Sequence, residues 1–440
     1  MAIIPQKQLF TWKEIENLGD LDRLRLVLDY LPDEPLMAAL ERNRGNGRDD
    51  YPIRPVWNSL LAGIVFQHQG IEHLRRELSR NGQLRWLCGF DMPKGLDAVP
   101  DAYVYSRFFR LLIGRVDLVD QMFDDLVEQL REVLPGFGQI LAMDGKAIPT
   151  FANRRKGLKD MPRDGRRDID ANVGKKTYTG VREDGTVWKK VSEWFGYKLH
   201  LIVDAVYELP VAFEMTRASA SEMPEGRKLV QKLDEKHEEL VDGCEALTAD
   251  KGLDDTKLIK QLWDDHGIKP VIDIRNMWKD GEETKLVTGQ GNVVYDYKGT
   301  VYCHCPATGD RREMAFGGFE ADRETLKYRC PMQQYDIECK GCKRCPVNGA
   351  VRIKLEENRR IFTPLARSSY RWKDLYKKRT AVERVNSRLD VSFGFEQHYI
   401  RGLPKMRLRM SLALIVMLAI ALGRAKEKRL DLIRSLTQVA

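Results

Sequence analysis

Between residues 139 and 274 the apolar residues switch repeatedly between a period of two and a period near 3.6, and that alternation limits the fold most. QILAMDGKAIPTFA, from Gln139, reads as an apolar strand. FGYKLHLIVDAV (195–206) and LPVAFEMT (209–216) follow as strands rich in Val, Ile and aromatics, joined by a short turn. Residues 221–240 are charged at helical spacing, 246–249 form a short strand, 254–266 read as helix, and KPVIDI (269–274) is again a strand. An order of β, ββ, α, β, α, β predicts a mixed sheet with helices packed on it.

The flanking segments have a different texture. Residues 1–135 read as helical: DLDRLRLVLDYL at 20–31, a longer pattern over 57–89 with Leu60, Leu61, Ile64, Val65 and Phe66 on one side, and 103–134. Pro135-Gly136-Phe137-Gly138 breaks the pattern and marks a domain boundary before residues 136–275. Residues 276–350 interrupt the alternation as a Gly- and Tyr-rich insertion, and residues 351–440 return to helix at 372–389 and 405–428. A length of 440 residues predicts two or three domains at about 150 residues each. With 43% hydrophobic and 31% charged residues, collagen-like, mucin-like and wholly disordered chains are excluded. The net charge of +8 permits an anionic partner such as nucleic acid without demanding one.

The longest apolar run, LALIVMLAIAL (412–422), falls short of the roughly 20 residues of a spanning helix. Arg407, Arg409 and Arg424 flank it, so it is expected to be a buried core helix with no membrane partner. The first residues show no basic segment leading into an apolar core and cleavage site, which predicts a cytoplasmic chain.

Two carboxylates stand out. Asp144 closes one apolar strand before Gly145, and Asp250 closes ALTA before Lys251-Gly252. A carboxylate at a strand's C-terminal end sits at the sheet edge where α/β folds bind ligands. Asp-Gly is also an ordinary turn signal, but two such ends in one region favour the former reading. Glu383 is a third candidate, within YKKRTAVERVNSRLD. Helical spacing aligns Tyr376, Arg379, Thr380, Glu383 and Ser387 in one polar stripe, and a plain Arg379–Glu383 surface pair is the alternative.

Six of the eight cysteines are Cys303, Cys305, Cys330, Cys339, Cys342 and Cys345. Four thiolates bind Zn²⁺ tetrahedrally, and an insertion lacking a large core would gain stability from such a site. Spacing cannot choose four ligands from these six and His304. An iron–sulfur cluster and unliganded thiols are the other readings.

AMDGKAI, FGYKLHLIVDAVYELPVAFEMT, TADKGLDD and the Tyr-x2-Arg-x3-Glu run at Tyr376, Arg379 and Glu383 together resemble the bacterial insertion-sequence DDE transposases, over roughly residues 50–425. The resemblance implies an RNase H-like core, with a mixed five-stranded sheet, to which the helical spacing adds an N-terminal all-α region and the cysteine cluster a zinc-ribbon-like insertion. It also implies that Asp144, Asp250 and Glu383 hold two Mg²⁺ or Mn²⁺ ions for DNA cleavage and strand transfer by two-metal catalysis. Arg379 would hold a phosphate oxygen and Tyr376 the DNA backbone, with Lys251 beside them. Two positions depart from the family pattern: Asp390 replaces a basic residue seven after Glu383, with Arg388 nearby, and Leu253 replaces an aromatic.

The richest basic stretch, 153–176, carries Arg154, Arg155, Lys156, Arg166, Arg167, Lys175 and Lys176, and reads as an extended loop beside the site. By analogy with the family, the N-terminal helices would read the element ends, with Arg75 and Arg76 as contacts. Double-stranded DNA, a homodimer joining two ends, and a nucleoid-associated location follow from the same resemblance. The rival readings are an RNase H-like nuclease that cuts without joining, and an inactive zinc-containing DNA-binding descendant. The second would be marked by a lost acidic residue, and none of the three is lost.

Overall fold

The computed structural model describes residues 18–44, 51–152, 168–182, 184, 186–347 and 349–438. Seven helices open it: α1 (Asp22–Tyr30), α2 (Glu34–Arg44), α3 (Ile53–Val65), α4 (Ile71–Arg80), α5 (Gly82–Cys88), α6 (Ala102–Ile113) and α7 (Val116–Val133). The periodic stretch at 57–89 is therefore three helices. Gln67, at a left-handed φ of 59°, reverses the chain after α3. Asn81 accepts from the Leu84 N–H at 3.0 Å and starts α5 afresh.

A sheet follows: β1 (Ile140–Pro149), β2 (Asn172–Val181), β3 (Val187–Asp204) and β4 (Leu209–Arg217), then α8 (Glu222–Lys236), α9 (Glu238–Asp242), β5 (Ala246–Ala249), α10 (Thr256–Lys260) and β6 (Lys269–Ile272). The strand order is β2-β3-β1-β5-β6, with β4 also on β3. β1 runs antiparallel to β3 and parallel to β5. The sheet has six strands where five were expected. The addition is β2, so the stretch expected as a loop over 153–176 is strand from Asn172 onward. β2 and the first half of β3 make a hairpin whose 187–193 side is solvent-exposed. Its sequence signal was Asp184-Gly185 between two β-rich stretches, a strong hairpin cue.

The insertion is more than loops. β7 (Lys285–Leu286), β8 (Val293–Tyr295), β9 (Val301–His304) and β10 (Arg311–Glu313) form one antiparallel sheet; β11 (Ala315–Glu320), β12 (Thr325–Arg329) and β13 (Ala350–Lys354) form another, with α11 (Pro331–Tyr335) between β12 and β13. Val293, Val301, Leu326, Tyr328, Ile353 and Phe362 build an apolar core separate from the main one. The expectation of a coreless insertion held by metal is corrected on that point: burying such side chains stabilises it directly.

The chain ends in α12 (Tyr370–Lys377), α13 (Thr380–Phe393) and α14 (Leu403–Lys426). α14 is long and apolar enough to cross a membrane by length and composition, yet 89% of that window is buried inside the protein. It packs on α1, α7 and β4, and so joins the N-terminal helices and the sheet in one core.

Two arginines tie the ends of the insertion together. Arg360 pairs with the fully buried Asp254 at 2.7 Å and donates to the Arg275 carbonyl at 3.0 Å. The Arg275 N–H also donates to Asp254, at 2.8 Å. Arg367 donates to the carbonyls of Ile272, Ile361 and Arg360 at 3.2, 2.6 and 3.0 Å. Removing one partner of a buried pair strands the other charge. Arg360→Ala is expected to cost about 3–5 kcal/mol, measured by denaturant unfolding; a loss under about 1 kcal/mol would show the pair to be dispensable.

Candidate active site

The last pair between β1 and β5 is Met143↔Ala249, which brings the next residues, Asp144 and Asp250, side by side. β1 does not end there. It stays paired to β3 through Asp144↔Leu201 as far as Pro149↔Gly196. Asp144-Gly145 is thus neither a strand end nor a turn, because only one neighbour of β1 has stopped. Asp250 does leave its strand. Its side chain accepts from the Gly252 N–H at 2.6 Å and caps a 3₁₀ turn over Lys251–Leu253.

The two acids repel each other in a confined place. Burial, and then the Asp250 charge, raise the Asp144 carboxyl to about 6, against the Gly145 N–H and Lys176, with Glu222 adding to the rise. Glu222, in the first turn of α8, was not singled out from sequence. A Cβ on Gly145 would lie 3.1 Å from its Oε1, and a Cβ on Gly252 would lie 2.9 Å from its Oε2. Glycine at these two positions leaves the space that this carboxylate occupies. Lys198 Nζ stands 3.5 Å from Glu222 Oε1. An acid in a helix's first turn is common for electrostatic reasons alone, so nothing in the sequence marked this one.

The helix expected over 372–389 is broken at Lys378–Arg379, which separates α12 from α13. Tyr376 lies in the last turn of α12, stacked on Trp372 with centroids 4.7 Å apart. The Arg379 guanidinium sits 5.7 Å from the centre of the Tyr376 ring. Glu383 opens α13 and pairs with Arg379 at 2.7 Å. The Asp144 charge acts on Arg379, and the Asp250 charge on Tyr376, so this segment faces the aspartate pair.

Hard carboxylate oxygens pressed together suit a divalent cation. Among the described residues, however, no group of three or more His, Cys, Asp or Glu is gathered closely enough to hold a metal. Two of the three acids meet, and Glu383 is held aside by Arg379.

The departures from the family pattern also have a physical account. Asp390 pairs with Lys146 Nζ at 2.5 Å, so at this position β1 supplies the cation and α13 the anion. Arg388 is committed to the backbone carbonyls of Glu208 and Arg434 and to the Glu208 carboxylate. Of the basic residues, Arg154, Arg155, Lys156, Arg166 and Arg167 lie outside the described residues. Lys175 pairs with Glu193 at 2.7 Å, and Lys251 is exposed. Arg75 is anchored to Pro100, Asp101 and Glu72, whereas Arg76 is exposed. His200 is a buried core residue bonded to Thr216 at 3.0 Å.

Cys303, Cys305, Cys330, Cys339, Cys342 and Cys345 all line one cavity of about 310 Å³. Burial, and then the neighbouring Cys330, Cys345 and Cys339, raise the Cys303 thiol to about 11. The Cys305 thiol falls to about 6 through the Thr308 hydroxyl and nearby backbone N–H groups. The donor chemistry suits zinc, but the described thiols share a cavity without converging on a point.

These features define a mixed α/β protein with paired carboxylates at the centre of its sheet and an arginine-bearing helix across from them. Residues 135–419 match the transposase DDE domain family, and the chain belongs to it. Residues 11–111 match a second transposase domain family, DUF772. No curated protein matches. Among solved structures, a piggyBac transposase synaptic complex with hairpin DNA is similar at 10% identity and a TM-score of 0.40, covering 97% of this chain and 81% of that one.

The raised Asp144 carboxyl has a consequence for stability. The folded chain binds this proton more tightly than the unfolded chain, whose carboxyl keeps the ordinary value of 3.8. Stability is therefore lost as pH rises from that value through about 6, and the penalty is complete above it. Without divalent metal, Asp144→Asn is expected to raise the Tm at pH 7.5 and leave it nearly unchanged at pH 4. An equal shift at both pH values would contradict the repulsive pair.

Proposed function

We propose that this transposase-family chain cuts DNA at the ends of a mobile element and joins the freed 3′-hydroxyl to target DNA. The observation that carries the reading is the adjacency of Asp144 and Asp250 where β5 ends beside a continuing β1, with Arg379 and Glu383 facing them. The order β4-β3-β1-β5-β6, with β3 antiparallel to β1, supports an RNase H-like core. A pair of divalent ions, when bound, supplies an activated water and stabilises the leaving oxygen.

The chain's own residues prepare that chemistry. Asp144 and Asp250 present oxygens on a rigid sheet, where the β1 ladder allows little movement. Arg379 offers a planar fork to a non-bridging phosphate oxygen, and Tyr376 supports the guanidinium from its ring face. A phosphate that takes Arg379 releases Glu383 to turn toward the aspartates. Hydrolysis and joining use the same residues, because both are in-line displacements at phosphorus. Joining two ends calls for two chains, so a homodimer on DNA belongs to this reading. A structural zinc held by four of the six clustered cysteines belongs to it as well.

Asp144→Asn should lower divalent-dependent cleavage of element-end DNA by about 10³-fold or more while binding stays within about twofold. Retained cleavage would remove Asp144 from the site. Cleavage without joining of a 3′-hydroxyl end would make the chain a nuclease only. Elemental analysis of the purified chain should find about one zinc per chain, and a folded preparation free of zinc would rule that part out.

A further inference from the structure

A second cavity, of about 280 Å³, lies between the loop after α3, the C-terminal end of α13 and the start of α14. Its wall includes Gln67, His68, Asp390, Phe395, His398 and Arg409. Arg409 is the unusual member. Its neighbours on α14 are committed: Arg407 pairs with Asp120 at 2.6 Å, and Arg424 donates to the carbonyls of Leu432, Ser435 and Gln438. Arg409 makes no hydrogen bond or ion pair with any described residue, although burial alone lowers its guanidinium to about 10. It stays charged at neutral pH, and a half-buried charge with no partner among the described residues is unfavourable until an anion arrives.

The groups around it suit an anion. The His68 Nε2 is buried with no partner. Burial and the Arg409 charge lower the His68 imidazole against the Glu77 charge, which favours a neutral N–H donor over a competing cation, whereas the His398 ring, lowered by burial and Arg409, is turned toward the Pro149 carbonyl. His398 Nδ1 accepts from the Ile400 N–H at 3.3 Å, so its hydrogen resides on Nε2. Of the carboxylates on the wall, Asp390 is already paired with Lys146 and Glu396 is exposed. The loop presenting His68 holds Gln67 at a φ of 59°, a conformation that non-glycine residues keep where the surroundings impose it, often at binding sites. The volume equals roughly nine water molecules, enough for a phosphate and part of its sugar.

The cavity adjoins the candidate active site. Asp390 lies seven residues after Glu383 on α13, and its partner Lys146 lies two residues after Asp144 on β1, so the Lys146–Asp390 pair is shared between the two sites. We propose that the cavity takes a backbone phosphate of the DNA strand entering the Asp144–Asp250 site, held by Arg409 with His68 as a neutral donor. The proposal rests on the DNA-cutting reading above.

The test uses Arg409→Gln and Arg409→Lys in the full chain. Arg409→Gln is expected to keep or raise the Tm, since a charge with no partner among the described residues is removed. Its affinity for element-end DNA should fall about tenfold, and its salt slope should shrink by about 0.9, the value of one phosphate contact. Arg409→Lys keeps the charge and should recover most of the slope. Inorganic phosphate should raise the Tm of the parent chain and not that of Arg409→Gln. Unchanged DNA affinity and slope in Arg409→Gln would overturn the proposal, as would a lowered Tm with an unchanged slope, which assigns Arg409 to packing. A phosphate-induced Tm shift lost on substitution without any change in DNA binding would overturn the DNA source in favour of a free anion. A parent chain that shows the phosphate shift but binds no element-end DNA would refute the DNA-cutting reading instead.

Discussion

β1 loses one neighbour while keeping the other, and the site depends on that asymmetry. The parallel ladder to β5 stops at Met143↔Ala249, and the antiparallel ladder to β3 runs six residues further, to Pro149↔Gly196. Asp144 is held by a full set of strand hydrogen bonds on one side and opens to Asp250 on the other. A residue at a frayed strand end could relieve the repulsion by moving away. Asp144 cannot, so the strain remains as a carboxyl that gives up its proton reluctantly, near 6. Gly145 and Gly252 bring the backbone close and let Glu222 approach as a further acid. Backbone pairing, not side-chain packing, sets the distance between the charges.

Leu375, Val382, Val385 and Leu389 pack the facing helices on that sheet, and buried charge fixes the chain that leads to them. The insertion of residues 276–350 separates β6 from α12, and a long excursion would leave α13 poorly placed if its two ends were free to drift. Asp254, Arg360 and Arg367 fasten those ends to each other and to the Ile272 carbonyl at the end of β6. Asp254 belongs to the same TADKGLDD segment as Asp250. One short run of sequence thus supplies an acid to the site and the anchor that brings Arg379 and Glu383 to it. The insertion can carry its own core and its own thiol cavity because its attachment is rigid and narrow.

Most of the sheet was legible from its periodicity and α14 from its unbroken apolar run, and the aspartates stood out because each follows an apolar stretch of sequence, although β1 continues through Asp144. What was not legible has a common cause. The outer half of the β2–β3 hairpin is solvated, so it lacks the alternation that identifies a half-buried strand, and only its Asp184-Gly185 turn signal marked it. The split of α12 from α13 leaves the apolar spacing intact while changing where Tyr376 and Arg379 point. Glu222 meets Asp250 only after a strand turn and a helix start have been placed in space, and the link between Arg409 and His68 spans the whole chain. The cysteines were legible as a cluster but not as a ligand set: spacing could not choose four of the six, and all six line one cavity.

The ion pair between Arg379 and Glu383 joins these threads. With no phosphate present, the guanidinium has one strong partner in reach, and the glutamate is the third acid that a metal site would need. A carboxylate cannot be pulled into an already repulsive pair while its counter-charge holds it elsewhere, and a DNA phosphodiester, with one negative charge over two non-bridging oxygens, can take the same two-pronged place on the guanidinium. In the proposed function the acidic site is therefore incomplete until DNA is seated, which confines cleavage to bound substrate. The same logic extends to Arg409, which has no counter-charge among the described residues and lines the same cavity as Asp390. In the proposed reading both arginines take a phosphate, Arg379 by leaving Glu383 for it and Arg409 with no partner to leave among the described residues.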